Sequence, residues 1–249
     1  MTELRVEKLI FKVHESYILN ELSTSFKTNS LTCILGPNGA GKTSLIKCIA
    51  NLIKFEGDIL INGQSISEFR PDELARKVSY VPQSISADLN FSVEDFVMFS
   101  RYPWQGISEY KKEKLEETLL LTGMQDHKKQ LMKTLSGGER QRALIAAALV
   151  QETDIILLDE ISSALDPKYQ DQIVQMLLKI RDTGKTLIWA THDINAALLH
   201  GDYLLALKKG RIFGEGSPAE FLEKNVLQEL YERQFEKVVH TKYHKEVLI

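Results

Sequence analysis

The sequence has few cysteines, almost no net charge and no long apolar run. Its 249 residues include 2 cysteines, and 31 Lys and Arg against 34 Asp and Glu leave a formal net charge of -3. A chain this close to neutral is not expected to bind nucleic acid through a broadly basic surface. Its 14 glycines and 6 prolines are too few for collagen or for a low-complexity chain. With 43% apolar and 26% charged residues, it has the composition of a globular protein that buries a sizeable core.

Apolar residues are nowhere continuous enough to cross a bilayer. The longest apolar run, residues 143–150, has 8 members, whereas a membrane-spanning helix needs about 20. Residues 1–13 carry Glu and Lys instead of the apolar stretch of a signal peptide. We therefore expect a chain that has no targeting segment and does not cross a membrane by itself.

The two cysteines do not predict a metal site. Cys33 and Cys48 are 15 positions apart, which is not a metal-ligand spacing, and each lies in an apolar stretch. Buried, unreactive thiols in a reducing compartment are the expected state, and a regulatory disulfide is the alternative.

Short apolar runs alternate with helical patterns, and this alternation predicts an α/β fold with a mostly parallel sheet. The predicted strands are residues 4–13, 31–35, 78–81, 155–158 and 187–190, with hairpins at 57–66 and 204–213. The predicted helices are residues 42–51, 92–100, 111–122 and 166–183. Ser92 and Asp166 are the expected N-caps of the second and fourth of these helices. We expect one domain over residues 1–249, with a helical subdomain at about 87–149 and a C-terminal tail at about 225–249.

Residues 36–43 read G-P-N-G-A-G-K-T and fit the phosphate-loop pattern G-x-x-x-x-G-K-[ST], between a predicted strand and a predicted helix. Glycines let backbone N–H groups turn toward phosphate oxygens, and the helix N-terminus favours negative charge. Lys42 is expected to reach the β- and γ-phosphates, and the Thr43 hydroxyl is expected to bind Mg²⁺. The predicted nucleotide-binding residues of the loop are Gly36, Pro37, Asn38, Gly39, Ala40, Gly41, Lys42, Thr43 and Ser44.

Residues 155–160 form an apolar strand that ends in Asp159 and Glu160. Alone, such a pair is often only a boundary between a strand and a loop. Beside a phosphate loop, Asp159 is expected to hold Mg²⁺ through its water shell, and Glu160 to orient or deprotonate the attacking water. The two motifs together predict a nucleoside triphosphatase.

A second candidate phosphate site begins another helix. Ser136, Gly137 and Gly138 precede a helical pattern, and a helix N-terminus of this kind can bind an anion. A flexible loop with a helix cap is the alternative. Two half-sites for the phosphates of one nucleotide favour a head-to-tail dimer, in which each Ser-Gly-Gly closes over the γ-phosphate bound by the other copy.

With these motifs in this order, the chain resembles the ATP-binding cassette (ABC) family over essentially its full length, and specifically the nucleotide-binding subunit of an ABC transporter. The resemblance implies a P-loop NTPase core of ABC type with a mixed parallel sheet, an N-terminal antiparallel β region and a helical subdomain. It also implies that ATP and Mg²⁺ are bound.

The resemblance assigns roles to three further residues. It implies that Gln83, in Y-V-P-Q, contacts Mg²⁺, the lytic water and the membrane subunit, and that His192, in A-T-H-D, contacts the γ-phosphate. Asp166 ends the S-A-L-D loop that passes communication across the dimer. The expected catalytic residues are Glu160, His192 and Gln83, and the expected Mg²⁺ ligands are Thr43, Gln83 and Asp159.

The chain departs from the family pattern at two places. Ile161-Ser162 follows Glu160 where the family usually has Pro-Thr, so the rigidity of that loop is expected to differ. Val13 or His14 stands where an aromatic residue normally stacks on adenine. Phe11 and Tyr17 flank this gap, and either adenine stacking or core packing fits them.

The tract from Phe96 to Gly106 and residues 72–77 resemble ATPases that serve iron-siderophore, haem and cobalamin uptake. An aromatic and a cation beside a helical insertion suit a groove for a short partner helix, and a turn whose Trp104 packs locally is the alternative. The resemblance implies a polytopic membrane permease that docks near Gln83 and between Arg101 and Gly106. It further implies an extracytoplasmic binding protein as an indirect partner, and a peripheral location on the cytoplasmic face of the cell membrane.

The expected function is ATP hydrolysis that energises uptake of a metal chelate through the separate permease. A soluble ABC ATPase that acts on ribosomes or DNA is the alternative, although such proteins usually carry two cassettes or a long coiled-coil insertion. No nucleic-acid partner is expected. An iron chelate, haem, cobalamin or an oxyanion such as molybdate all remain open as the cargo.

Overall fold

The computed structural model describes residues 2–86, 88–107, 112–162 and 166–249. Lys111, the predicted start of a helix, and Ser163, Ala164 and Leu165 of the predicted communication loop lie outside the described residues. The strands are β1 (Leu4–Val13), β2 (Ser16–Phe26), β3 (Leu31–Leu35), β4 (Glu56–Ile61), β5 (Gln64–Ser65), β6 (Val78–Val81), β7 (Ile155–Asp159), β8 (Thr186–Ala190), β9 (Tyr203–Lys208), β10 (Arg211–Gly216), β11 (Lys237–Val239) and β12 (Glu246–Leu248). The α-helices are α1 (Lys42–Ile49), α2 (Pro71–Ala75), α3 (Val93–Phe99), α4 (Lys112–Leu121), α5 (Gly137–Val150), α6 (Pro167–Asp182), α7 (Ile194–His200), α8 (Pro218–Glu223) and α9 (Val226–Tyr231).

The central sheet has six strands in the order β10-β9-β3-β8-β7-β6. Five of them run parallel, and β10 adds an antiparallel edge through its hairpin with β9. Every residue of β3, β7 and β8 is buried, as expected for parallel strands that are covered on both faces. The predicted strands and the second hairpin are confirmed, and β7 runs one residue further than predicted, to Asp159.

A second, antiparallel sheet has the order β2-β1-β4-β5. Asn62 and Gly63 join β4 to β5 with φ angles of 54° and 81°, and two positive angles are what a type I′ turn requires. The predicted hairpin is therefore confirmed. Apolar residues of this sheet and of α1, among them Leu4, Leu22, Leu45 and Ile59, pack against one face of the central sheet, which contributes Leu157.

Helices α3, α4 and α5 share an apolar cluster of their own, with Val97, Leu119 and Ala143 among its members. The Ser92 side chain accepts the backbone N–H of Asp95 at 3.1 Å, which confirms it as the N-cap of α3. Among the residues that the structure describes, no helix combines the length and the apolar character needed to span a membrane.

Helix α6 begins at Pro167 and ends at Asp182, before Gly184, as predicted. Asp166 occupies the N-cap position, as predicted, although its side chain makes no capping hydrogen bond. Proline at the first helical position has φ already fixed for a helix, and this favours the start of α6 without the cap.

The C-terminal tail packs on the core rather than trailing away from it. Leu227, Leu230 and Leu248 belong to the apolar cluster on the other face of the central sheet. Asn195 binds the backbone of Leu248 through both its amide nitrogen and its amide oxygen, each at 2.9 Å. These contacts hold α9 and the β11–β12 hairpin against the nucleotide-binding core.

Both cysteines are free and buried, Cys33 on β3 and Cys48 on α1. Burial raises the pKa of both thiols, that of Cys48 to about 12. The prediction of buried thiols is confirmed, and no disulfide joins the two.

Candidate functional site

The phosphate loop connects β3 to α1, the placement that its sequence predicts. The loop lines an open cleft of about 360 Å³. The lining residues are Ile18, Asn38, Gly39, Ala40, Gly41, Lys42, Thr43, Ser44, Glu160 and His192. The cleft therefore brings most of the predicted loop residues together with two of the three predicted catalytic residues.

Lys42 is buried, with 4% of its surface exposed, and its ammonium lies within the loop. Its Nζ donates to the Gly36 carbonyl at 2.9 Å and lies 3.7 Å from Glu160 Oε1. Burial lowers the pKa of Lys42, and Glu160 and Asp159 oppose that shift. The Lys42 ammonium, held between carbonyls and a carboxylate, can exchange these contacts for phosphate oxygens, which offer the same charge complementarity.

Asp159, at the end of β7, is hydrogen-bonded on both carboxylate oxygens. The Thr43 hydroxyl donates to Oδ1 at 2.8 Å, and the Tyr80 hydroxyl lies 3.3 Å from Oδ2. Burial raises the pKa of Asp159, and burial together with the Asp159 charge raises that of Tyr80. A hydroxyl and a carboxylate oxygen at this separation are oxygen ligands of the kind that Mg²⁺ prefers. Tyr80 was not predicted to belong to the site, although it stands three residues before Gln83 in the same motif.

The carboxylate of Glu160 is the point at which the predicted catalytic residues meet. His192 Nε2 lies 2.6 Å from Glu160 Oε1, and Gln83 Nε2 donates to Glu160 Oε2 at 3.3 Å. Gln83 follows β6, Glu160 follows β7 and His192 follows β8, which are neighbours in the sheet. Ligands of parallel sheets bind at the carboxyl ends of the strands, so the topology itself gathers these three side chains.

The predicted second phosphate site lies apart from this cleft. Ser136 caps α5: its hydroxyl accepts the Glu139 N–H at 3.3 Å, and its own N–H donates to Glu139 Oε2 at 2.8 Å. Ser136 and Gly137 are exposed, whereas Gly138 is buried. Among the described residues that line the cleft, none comes from this helix start, and Asp166 is absent from the lining as well.

Comparison with known proteins supplies the family. The family model described as ABC transporter matches residues 19–163. The petrobactin import ATP-binding protein YclP of Bacillus subtilis (strain 168) is 38% identical over 219 residues, which cover 86% of this chain and 87% of that protein. The ferric enterobactin transport ATP-binding protein FepC of Escherichia coli (strain K12) is 32% identical, over 93% of this chain and 88% of that protein.

The chain belongs to the ABC transporter family. A solved structure of cbiO1 from Clostridium perfringens, part of the transporter complex cbiONQ, matches with a TM-score of 0.77 and 29% identity, over 92% of this chain and 94% of that one. The predicted P-loop NTPase fold of ABC type is therefore confirmed. So is the expected activity, because the ABC ATPase domain and its ATP-binding relatives make this chain an ATP hydrolase of transport type.

In this ABC protein the residues around the expected adenine position are split between core and surface. Phe11 is half-buried and packs against the apolar cluster beneath the antiparallel sheet, so core packing is the correct interpretation for Phe11. Tyr17 is 51% exposed, and Lys12 Nζ lies 4.5 Å from its ring centroid. Val13 and His14 are exposed at the β1–β2 turn.

A second groove, of about 480 Å³, lies beside the aromatic tract of this ABC protein. It is lined by Gln64, Phe69, Glu73, Arg76, Lys77 and Trp104. Trp104 Nε1 donates to the Gln151 carbonyl at 2.7 Å, and Arg76 donates to the Pro103 carbonyl at 2.7 Å. Local packing of Trp104 is thus correct, but the indole still forms part of the groove wall.

Proposed function

We propose that this chain is the ATP-hydrolysing subunit of an importer, and that it powers the uptake of a ferric siderophore or a related metal chelate through a separate membrane permease. The observation that carries the proposal is the Glu160 carboxylate, held by His192 and Gln83 within 3.7 Å of the phosphate-loop lysine. The relatives YclP and FepC support the transport class, since the first is a petrobactin import protein and the second a ferric enterobactin transport protein. They do not favour an ATPase that acts on ribosomes or DNA.

The proposed chemistry follows from the positions of the side chains. Lys42 exchanges the Gly36 carbonyl and Glu160 for the β- and γ-phosphate oxygens of ATP. Glu160, released from Lys42, accepts a proton from the attacking water or orients it. His192 and Gln83 keep that carboxylate in place, and His192 contacts the γ-phosphate.

Thr43, Asp159 and Gln83 are the residues proposed to hold Mg²⁺. Thr43 and Asp159 already lie 2.8 Å apart, and Asp159 is proposed to act through the water shell of the ion. When bound, Mg²⁺ would neutralise charge that develops on the β- and γ-phosphates.

A second copy of the chain is proposed to complete the site. Ser136 and Gly137 are exposed at the start of a 14-residue helix, which leaves them available to the nucleotide of a head-to-tail partner. Asp166 is proposed to lie at the same dimer contact. The domain division is also a proposal: α3, α4 and α5 form a helical subdomain at about 87–149 that moves together with Ser136, Gly137 and Gly138.

The permease is proposed to dock near Gln83 and on the tract from Arg101 to Gly106, whose Trp104 lines the groove with Arg76. Phe99 and Tyr102, which belong to the same aromatic tract as Trp104, are 72% and 68% exposed, and exposed aromatics of this kind are enriched at protein contacts. Docking there would place the chain at the cytoplasmic face of the cell membrane, with the extracytoplasmic binding protein reached only through the permease.

Reconstitution with the membrane partner tests the proposal. The complex is placed in liposomes, and ATP-driven uptake is measured for ferric catecholate and hydroxamate siderophores, haem, cobalamin and molybdate. We expect ATP-dependent uptake of at least one ferric siderophore, and none with the Lys42→Ala variant. ATPase activity that responds to ribosomes or DNA, without uptake of any chelate, would reject the importer.

A further inference from the structure

A phenol from the C-terminal tail touches the first residue of the phosphate loop. The Gly36 N–H donates to the Tyr231 hydroxyl oxygen at 3.2 Å, across 195 positions of sequence. Tyr231 is the last residue of α9 and lies outside the residues 19–163 that the family model matches. The family match therefore gives this tyrosine no role.

The two peptide groups that flank Gly36 are each restrained. The Gly36 N–H donates to Tyr231 and the Gly36 carbonyl accepts from Lys42 Nζ at 2.9 Å. A Cβ at Gly36, where φ is 151°, would lie 2.3 Å from the Leu207 carbonyl oxygen. The backbone of β9 therefore packs closely against the loop at Gly36. The orientation of these two peptide groups sets the direction in which the rest of the loop leaves β3.

The tail holds the phenol firmly at this place. Lys208, at the end of β9, donates to the Glu229 carbonyl at 2.9 Å and pairs with Glu232 at 2.9 Å. Leu227 and Leu230 of α9 are each 1% exposed. Phe235 lies edge-on to the Tyr231 ring at 6.5 Å. Burial raises the pKa of Tyr231, so the hydroxyl is neutral at physiological pH.

We propose that Tyr231 is a positioning residue of the nucleotide site, whose hydroxyl fixes the Leu35–Gly36 peptide group at the start of the phosphate loop and thereby presets the loop for binding. Tyr231 is not among the residues that line the cleft, so it acts through the loop. Preorganisation of a binding loop lowers the cost of ordering it when the ligand arrives, so the effect falls on nucleotide affinity rather than on the chemical step. The inference rests on the proposed phosphate binding by residues 36–44.

The test is Tyr231→Phe in the full chain, with Tyr243→Phe as the matched control. Tyr243 is another tail tyrosine, and its hydroxyl accepts from Gln175 at 3.4 Å, within a different contact. One neutral hydrogen bond corresponds to a change of about 2- to 12-fold in an equilibrium constant. We expect Tyr231→Phe to raise the Kd for Mg-ATP and Mg-ADP and the KM for ATP within that range. The value of kcat at saturating ATP should stay within about 2-fold, and Tyr243→Phe should change none of these.

Three results would overturn the proposal. They are a Kd for Tyr231→Phe equal to that of Tyr243→Phe, a tighter Kd, and a lower thermal midpoint of the nucleotide-free protein with an unchanged Kd. The Lys42→Ala variant is titrated in parallel. If Lys42→Ala keeps full ATP affinity, the proposed phosphate site itself fails, and that failure is distinct from a failure at Tyr231.

Discussion

At the scale of single residues, the backbone of Glu160 is as unusual as its side chain. Its φ angle is 49°, and a non-glycine residue in the left-handed region costs about 1 to 3 kcal/mol. The conformation is held by the Glu160 N–H, which donates to the Ala190 carbonyl at 2.9 Å, and by the contacts of the carboxylate. The strain therefore lies at the residue proposed to act on water.

Replacement of Glu160 by glutamine should separate binding from turnover. Glu160→Gln keeps the shape and the hydrogen bond with Gln83 but removes the proton acceptor, so kcat should fall by about 100- to 10,000-fold. ATP-dependent dimer formation should persist, as measured by size-exclusion chromatography with ATP. Glu223→Gln, an exposed carboxyl on α8, is the control. Robust steady-state hydrolysis by Glu160→Gln would contradict the assignment.

The buried carboxyl of Asp159 is predicted to lower the free energy of unfolding of the nucleotide-free protein by an amount that depends on pH. Its pKa is raised in the folded state, mainly by burial. The folded protein therefore binds a proton at this carboxyl more tightly than the unfolded chain does. Its destabilising contribution is therefore absent below the unfolded pKa and complete above the folded pKa.

Asp159→Asn should raise the free energy of unfolding at pH 8 without Mg²⁺, and the gain should shrink as the pH falls through the raised pKa. Denaturant unfolding at a series of pH values measures this. Asp126→Asn, at an exposed position, should give no such trend. A gain for Asp159→Asn that stays constant from pH 8 to pH 4 would contradict the burial argument.

At the scale of elements, strand ends and turns decide the geometry of this protein. Neighbouring parallel strands deliver Gln83, Glu160 and His192 to one edge, and the antiparallel sheet brings Ile18 of β2 to the same cleft. The pairing of β1 with β4 is irregular, because its register shifts between Glu7 and Ile10, opposite the start of β4.

Two glycines of β4 and its turn should therefore tolerate alanine unequally. A Cβ at Gly57 would lie 2.4 Å from the Lys8 carbonyl oxygen, whereas one at Gly63 would meet nothing within 4 Å. Both glycines have positive φ, so Gly63→Ala should lower the free energy of unfolding by about 1 kcal/mol through the backbone alone. Gly57→Ala should lower it by this amount and by about 1 to 3 kcal/mol more, because its Cβ clashes. Urea unfolding measures both, and equal losses would contradict the close approach.

At the scale of the whole molecule, the nucleotide cleft and the groove at Trp104 are separate surfaces that one sheet connects. Arg101 is buried and links the aromatic tract to the end of α5, with Nη1 2.9 Å from the Val150 carbonyl and 2.7 Å from Glu152 Oε2. Movement of α5, together with Ser136 at its start, would thus be carried to the tract proposed to meet the permease.

Tyr102→Ala should uncouple this chain from its permease without damage to the nucleotide site. Tyr102 is 68% exposed, so its loss should leave folding and ATP affinity nearly unchanged. Co-purification of the permease should fall by about 10-fold, the size of a moderate interface contribution. Phe213→Ala, at another exposed aromatic, is the control. Undiminished capture of the permease by Tyr102→Ala would move the docking surface elsewhere.

The motifs that act locally could be predicted from the sequence. The spacing of Gly36, Gly41 and Lys42 identifies the phosphate loop, and Asn62-Gly63 identifies a hairpin, because each depends on a few adjacent residues. The order of the apolar runs along the sequence was sufficient to predict the parallel strands of the central sheet.

Contacts between distant residues could not be predicted in the same way. The approach of Tyr231 to Gly36 depends on how the tail folds back over β9, which no local pattern encodes. Tyr80 is similar, because its hydroxyl reaches Asp159 only through the pairing of β6 with β7. The packing of Phe11 and the exposure of Tyr17 depend on the irregular register of β1 with β2.

The two buried cysteines give the protein a built-in chemical probe. Both thiols are protonated and shielded, and the sequence has no other cysteine, so a thiol reagent can react only when the sheet or α1 opens. The rate of alkylation of the unmodified chain therefore reports opening of the nucleotide-binding core. Its dependence on ATP would measure how far the nucleotide locks that core, with no label added.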